Sequence, residues 1–390
     1  MNKFADNSLT LNNKTKLTVE KKSLIARPDT PDTRLCFSYP TMIKLAHNGD
    51  RNGEFIMAHA SLFGSASDNG YRVYRSGDFG DSWEYISRAV DDFTPGVEDN
   101  VLQPCLFELP RDMGRFKKGT LFMGGCSRGR YPDGSGMSAV TLYYSEDIGI
   151  TWKAYHVLAM GGTAPDRAGV WEPFFIYEEE TGRVYCFYSD ETGEKAGPTA
   201  QKLVYKYTTD MENWSDIRIS VDAPEPALRP GMIAISKMGN GEYIMVYEVV
   251  GIKGNPIYYK KTKNLDDWGD LTDYGNVVIT DDQKTFGSSP WCAWTPAGGE
   301  CGMLVVAANH MVQGGPSIYG TGTDLFVSFD YGKTYTAIEN PIPFTPVANH
   351  KCSYSPYIGF SDDGHTMYYI NNPEYGENCQ QMIFARIRIS

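Results

Sequence analysis

The stretch SGDFGDSW, Ser76 to Trp83, recurs along the chain and decides how the rest is read. It returns as SEDIGITW from Ser145 to Trp152 and as SFDYGKTY from Ser328 to Tyr335. Looser copies are TTDMENW, ending at Trp214, and TKNLDDW, ending at Trp268, where Asn264 stands in the aspartate position. In each copy an aromatic follows the Asp or Asn by four or five residues. The chemistry is that of a hairpin turn: the carboxylate caps backbone N–H groups, glycine takes positive φ, and the aromatic packs beneath. A local pattern repeated this way points to a repeat architecture.

A second, independent repeat sets the unit length. Prolines open short apolar segments at Tyr39-Pro40, Gln103-Pro104, Glu172-Pro173, Arg229-Pro230, Ser289-Pro290 and Ser355-Pro356, spaced by 64, 69, 57, 60 and 66 residues. Proline is tolerated at the first residue of a strand, so each is read as a strand start. A second strand follows in each unit: EFIMAHA, GTLFMGGC, RVYCFYSD, EYIMVYEV, GMLVVAAN and TMYYIN. Two more strands around the Ser-x-Asp turn complete four antiparallel strands per unit. Six such units predict an all-β fold, a six-bladed β-propeller. The strand-like ends LTVEKKSLI and MIFARIRI read as closing the ring, giving one domain over residues 16–390 after a polar tail of residues 1–15.

Composition agrees. Across 390 residues, 13% aromatics with 40 Gly and 22 Pro favour short strands and turns over long helices. The 48 acidic against 36 basic residues give a net charge of −12, which argues against nucleic acid and anionic membranes as partners, because phosphate binding needs a basic face. No apolar run reaches the length of a signal peptide or a membrane span, so the chain reads as soluble, either cytoplasmic or a trimmed secreted enzyme. Its eight cysteines (Cys36, Cys105, Cys126, Cys186, Cys292, Cys301, Cys352, Cys379) form no CxxC pair and read as reduced core residues. A monomer without metal or cofactor is expected.

Because the first and second strands of a unit are antiparallel, the start of one and the end of the other lie at one face. Tyr39, Gln103, Glu172, Arg229, Ser289 and Ser355 are thus expected to ring a funnel mouth, joined by His59, Arg128, Asp190, Glu248, His310 and Asn371. A structural ring needs no such collection of polar groups, which are costly unless satisfied or solvated. Glu172 in VWEPFF and Glu248 in MVYEVV carry the most weight. Two carboxylates across a funnel are the machinery of glycoside hydrolysis, although each could instead cap a neighbouring backbone N–H. Arg229 can bind sugar hydroxyls, hold a carboxylate ionised, or pair with an acidic neighbour. Asp190 and Gln201 are candidate hydroxyl partners. Trp171, Trp291 and Trp294 are candidate stacking walls or core residues, and His59 and His310 are candidate sugar contacts.

The Ser-x-Asp turns resemble the Asp-box of sialidase-like propellers. The run GVWEPFF, then YSDE with QKLVYK, DMENW, RPGMIAI and GNGEYIMVYE, resembles glycoside hydrolase family 93, the exo-α-L-1,5-arabinanases, most densely from Gly169 to Glu248. The resemblance implies a retaining hydrolase that releases arabinobiose from the non-reducing end of linear arabinan. It also implies two catalytic glutamates, matched by Glu172 and Glu248, and an assisting tyrosine that SYSPY matches at Tyr354, with Tyr357 as the alternative. By analogy with the wider superfamily, Glu172 is the nucleophile and Glu248 the acid/base. A sialidase needs three arginines for its substrate carboxylate. Arg27 or Arg34 could be the first and Arg229 another, but no arginine occurs between Arg229 and Arg386. A non-catalytic carbohydrate-binding propeller is the other alternative. The loops FGSASDNG, SRGRYPDGSG, ETGEKAGPTA and HMVQGGPSIYG are where specificity is expected.

Overall fold

The computed structural model describes every residue except 1, 32–35, 63–68, 163–168, 193–200, 223–224, 226, 314–323, 345–352 and 377–378. Three of the four loops named above, together with Arg34 and Cys352, lie wholly or largely outside the described residues. The fold is all-β, with largely antiparallel sheets, and is of the six-bladed β-propeller class that the two repeats predict. Where the repeats read as one domain, the chain groups into two compact units, Tyr39–Ile233 and Met1–Ser38 with Ala234–Ser390.

In the unit Tyr39–Ile233, one four-stranded sheet runs through Val97–Glu108, Leu121–Arg130, Gly136–Ser145 and Lys153–Gly162. The next runs through Val170–Glu178, Arg183–Asp190, Lys202–Thr208 and Arg218–Asp222, again in chain order. Their cores are aromatic: Tyr143, Tyr185, Phe187 and Tyr205 are almost wholly buried.

The other unit contains the closing sheet. Its strands are Tyr357–Phe360, Thr366–Asn371, Met382–Ile389, Lys16–Ala26 and Ser8–Thr10, with Leu17 opposite Ile389 and Ala26 opposite Met382. Both chain ends therefore complete one blade, held by a core that includes Leu17, Val19, Ile387 and Ile389. The expected polar tail is not loose. Ser8–Thr10 pairs with Lys16–Thr18, and Leu9 and Leu11 are buried in that core, so residues 8–10 extend the last sheet.

The repeated turns form as their chemistry dictates. Ser76 Oγ accepts the N–H of Gly80 at 2.8 Å, while Asp78 accepts the N–H of Ser82 at 2.9 Å and its hydroxyl at 2.6 Å. The same bonds recur around Asp147 and Asp330. Positive φ is not confined to glycine: Phe79 (58°) and Gly80 (87°) both adopt it, as Ile148 and Gly149 do. Two successive left-handed residues match the twist of a tight hairpin.

Candidate functional site

Five of the six residues that precede the repeat prolines lie in the left-handed region: Tyr39 (φ 55°), Gln103 (55°), Glu172 (65°), Ser289 (53°) and Ser355 (56°). For residues other than glycine this conformation costs on the order of 1–3 kcal/mol and persists only where the surroundings enforce it. The register supplies the cause. The ladders slip between Leu102 and Cys105 and between Trp171 and Phe174, so Gln103-Pro104 and Glu172-Pro173 sit in bulges, where a proline without an N–H is tolerated. The prolines therefore do not all open strands as expected. Pro40, Pro104 and Pro173 lie inside theirs, whereas Trp291–Thr295 and Tyr357–Phe360 begin directly after Pro290 and Pro356. In the Arg229-Pro230 unit the bend is taken by Met232 (φ 55°), so Met232, not Arg229, is the counterpart of Glu172.

A bulge residue leaves the ladder, and its N–H must find another acceptor. The N–H of Glu172 donates to Cys126 Sγ at 3.0 Å, that of Met232 to Glu172 Oε2 at 2.7 Å, and that of Ser289 to Glu248 Oε2 at 2.9 Å.

Around half-buried Glu172, within the unit Tyr39–Ile233, donors converge. Gln103 Nε2 donates to Oε1 at 3.1 Å, and Ser189 Oγ joins the Met232 N–H on Oε2 at 2.5 Å. Ser189 is brought there by its pairing opposite Trp171. A carboxyl group that meets donors on both oxygens is used as an acceptor on both. The approach is close: a Cβ on Gly231 would come within 2.5 Å of Gln201 Nε2 and 3.2 Å of Glu172 Oε2. Gln103 Oε1 is buried and has no hydrogen-bond partner among the described residues, the kind of unsatisfied acceptor a ligand hydroxyl would complete.

Arg229 does not serve Glu172. Its Nε donates to Glu191 Oε1 at 2.8 Å and its Nη2 to Gln201 Oε1 at 3.0 Å. Gln201 is itself buried and donates to the Pro230 carbonyl at 2.6 Å, so it braces the backbone rather than offering a free amide to a sugar. Asp190 is buried and accepts from the N–H and hydroxyl of Thr192, both at 2.6 Å; burial raises its pKa. Trp171 donates its indole N–H to Glu191 at 3.3 Å and carries the exposed Arg128 guanidinium over its ring at 4.9 Å, so that ring is already in use as a platform. Sequence reasoning missed Glu191. Its signal was the second acid of YSDE, at the end of the strand that faces Gly169.

His59 is corrected outright. It is fully buried beside Tyr74, with ring centroids 5.6 Å apart, and Nδ1 lies 3.0 Å from the Ala60 carbonyl. Burial pushes its pKa down to about 3, so it is a neutral core histidine, not a sugar contact. Tyr39 is also buried.

In the other unit, Glu248 is 7% exposed and lies in the strand Tyr243–Val250 opposite Ile257. Ser289 is fully buried and meets Glu248 through its backbone, so its hydroxyl is not presented to a ligand. Trp291 donates its indole N–H to the Ile358 carbonyl at 2.9 Å and packs on Tyr357, as a core residue does. Trp294 likewise donates to the Cys301 carbonyl. Half-buried Tyr354 lies between two left-handed serines, Ser353 (φ 55°) and Ser355, and its N–H donates to Asn372 Oδ1 at 2.8 Å. The backbone of His310 pairs with Gly287; its side chain lies outside the described residues.

Among the described residues, no three His, Cys, Asp or Glu side chains gather as a metal-binding set. Seven of the cysteines are free thiols; six are buried and Cys301 is half-buried.

No family model and no curated protein sequence matches the chain. Solved structures do. A Penicillium chrysogenum α-L-arabinanase complexed with arabinobiose is 27% identical over 94% of this chain and 98% of its own, with a TM-score of 0.76. A family 93 α-L-arabinofuranosidase of Fusarium graminearum, also with arabinobiose, is 23% identical over 95% and 98%, with a TM-score of 0.77. A Dyadobacter fermentans protein of unknown function shares the fold at 12% identity over 96% and 99%, with a TM-score of 0.65. The likeness to the Penicillium arabinanase thus covers nearly the whole chain, beyond the stretch from Gly169 to Glu248.

Proposed function

We propose that the chain is a glycoside hydrolase of linear α-1,5-L-arabinan, exo-acting and retaining, which releases arabinobiose from the non-reducing end. The observation that carries this reading is the setting of Glu172, a strained bulge residue whose carboxylate is aimed and held by Gln103, Ser189 and the Met232 N–H. Its likeness to the Penicillium arabinanase supports the choice of substrate. Glu172 is the nucleophile. Oε2 takes two donors and Oε1 one, and in this reading Oε1 is the attacking atom. As Oε1 bonds to the anomeric carbon, the glycosidic C–O bond breaks, and Glu248 gives its proton to the departing oxygen. Glu248 then takes a proton from water, whose oxygen displaces Glu172 and restores the original configuration. Tyr354 is the assisting tyrosine of this reading, and Gln103 Oε1 accepts a sugar hydroxyl.

Incubation with linear α-1,5-arabinan, with sizing of products and NMR of the first-formed anomer, tests the whole reading. Arabinobiose alone, released as the α-anomer, is expected. No hydrolysis, a ladder of products, or a first-formed β-anomer would overturn it in substrate, exo action or stereochemistry respectively.

A further inference from the structure

We infer that Glu191 is a positioning residue of the sugar site: the buried anion that fixes Trp171 and Arg229 and neutralises the arginine before any ligand arrives. The inference rests on the reading of the Glu172 cluster as the place where sugar binds.

Glu191 follows directly on the strand Arg183–Asp190, and its side chain is 2% exposed. The contacts of its carboxylate run to Gly169, Trp171 and Arg229, residues next to the candidate chemistry. Oε2 accepts the N–H of Gly169 at 3.0 Å and the indole N–H of Trp171 at 3.3 Å, and Oε1 accepts Arg229 Nε at 2.8 Å with Nη2 at 2.5 Å. Its own N–H donates to the Gly169 carbonyl at 2.8 Å. Glu191 thus grips, through backbone and side chain, the approach to the strand whose third residue is Glu172. The indole has no room to shift toward that backbone, since a Cβ on Gly169 would lie 2.1 Å from Trp171 Cζ2. Arg128 covers the ring at 4.9 Å.

On the other side, Arg229 passes the restraint on. Its Nη2 holds Gln201, Gln201 holds the Pro230 carbonyl, and two residues further Met232 gives its N–H to Glu172. Stability alone is a poor reason for this arrangement. Desolvating two ions is expensive, and well-packed apolar residues often serve a fold as well or better. Arg229 keeps 29% of its side chain exposed while its charge is already matched. A carboxylated sugar therefore gains no unpaired cation from Arg229, whereas neutral hydroxyls can still share its N–H groups, which suits a neutral glycan.

Glu191→Ala leaves a carboxylate-sized hole bordered by the Gly169 N–H, the Trp171 indole N–H and Arg229. Formate is the probe. Tryptophan emission of Glu191→Ala should respond saturably to sodium formate against sodium chloride at matched ionic strength. Wild type and Glu191→Ala/Trp171→Phe should not respond. On arabino-oligosaccharides, kcat/KM of Glu191→Ala should fall by up to about 100-fold, mostly through KM, and recover with formate, as expected for a displaced binding group. Emission indifferent to formate, or an unchanged kcat/KM, would overturn the inference. If the alanine variant does not fold, Glu191→Gln keeps the acceptor but loses the charge. A raised KM at an unchanged melting temperature then supports the inference, and an unchanged KM refutes it. A wild type inactive on arabinan, with the formate response intact, would sink the substrate reading alone.

Discussion

Glu172 and Glu248 do the same small structural job in opposite settings. Each accepts the N–H of a left-handed residue, Met232 for one and Ser289 for the other. Glu248 does so from a regular ladder position opposite Ile257, almost wholly buried. Glu172 does so while itself bent to φ 65° and half-buried, with Gln103 and Ser189 donating as well. Capping an amide needs no strained residue, as Glu248 demonstrates. The bend itself is shared with Tyr39, Gln103, Ser289 and Ser355, so what sets Glu172 apart is the set of donors that the bend brings to its carboxylate.

The harshest way to break this comparison is to remove each carboxylate. Glu172→Ala should lower kcat by about 10⁴-fold or more, as loss of a nucleophile does, and azide should restore turnover with a β-azide product. Glu248→Ala should cost about 10²–10⁴-fold, and azide should then yield the α-azide by attack on the glycosyl-enzyme. NMR of the glycosyl azides reads the outcome. The opposite pairing of variant and product would exchange the two roles, and full activity in both variants would leave a binding module rather than an enzyme.

A gentler cut separates side-chain from backbone support. Ser189→Ala removes a hydroxyl donor from Glu172, and a hydrogen bond to a charged group is worth about 1.5–3 kcal/mol, so kcat should drop by roughly 10-fold or more with little change in KM. Ser289→Ala keeps the backbone N–H that holds Glu248 and should cost distinctly less. Equal losses in steady-state kinetics would mean that the two glutamates are supported alike, and the contrast would fall.

How far these settings can be read from sequence follows from the kind of signal each leaves. The turns around Asp78, Asp147 and Asp330 are legible because their chemistry is local: donor, acceptor and glycine lie within a few residues. Glu172 and Glu248 enter as candidates from motif alone. The alignment at Arg229 is not legible, because Pro230 marks a chain position while the left-handed bend falls on Met232. The partner of Arg229 was equally hidden: Glu191 lies 38 residues away, and the pairing exists only after two sheets have formed. Trp291 looked like a stacking wall until its indole N–H found the Ile358 carbonyl, a contact across 67 residues.

His59 offers the smallest test and extends the comparison to a third chain position. It lies in the strand Phe55–Leu62 as Glu248 lies in Tyr243–Val250, yet it is fully buried and neutral, with burial pushing its pKa down to about 3. The unfolded chain protonates a histidine near pH 6.5. Above that pH both states are neutral and His59 adds no pH dependence. As the pH falls from about 6.5 toward 3, the unfolded state takes up a proton that the folded state refuses, so stability declines by up to about 1.4 kcal/mol per pH unit from this group. His59→Asn removes that penalty while also losing the packing on Tyr74. The variant should therefore melt below wild type at pH 7, and the gap should narrow steadily as the pH is lowered to 4. A gap that stays constant in calorimetry across that range would show that the imidazole is free to protonate in the folded state, and would return His59 to the set of groups that could meet a sugar.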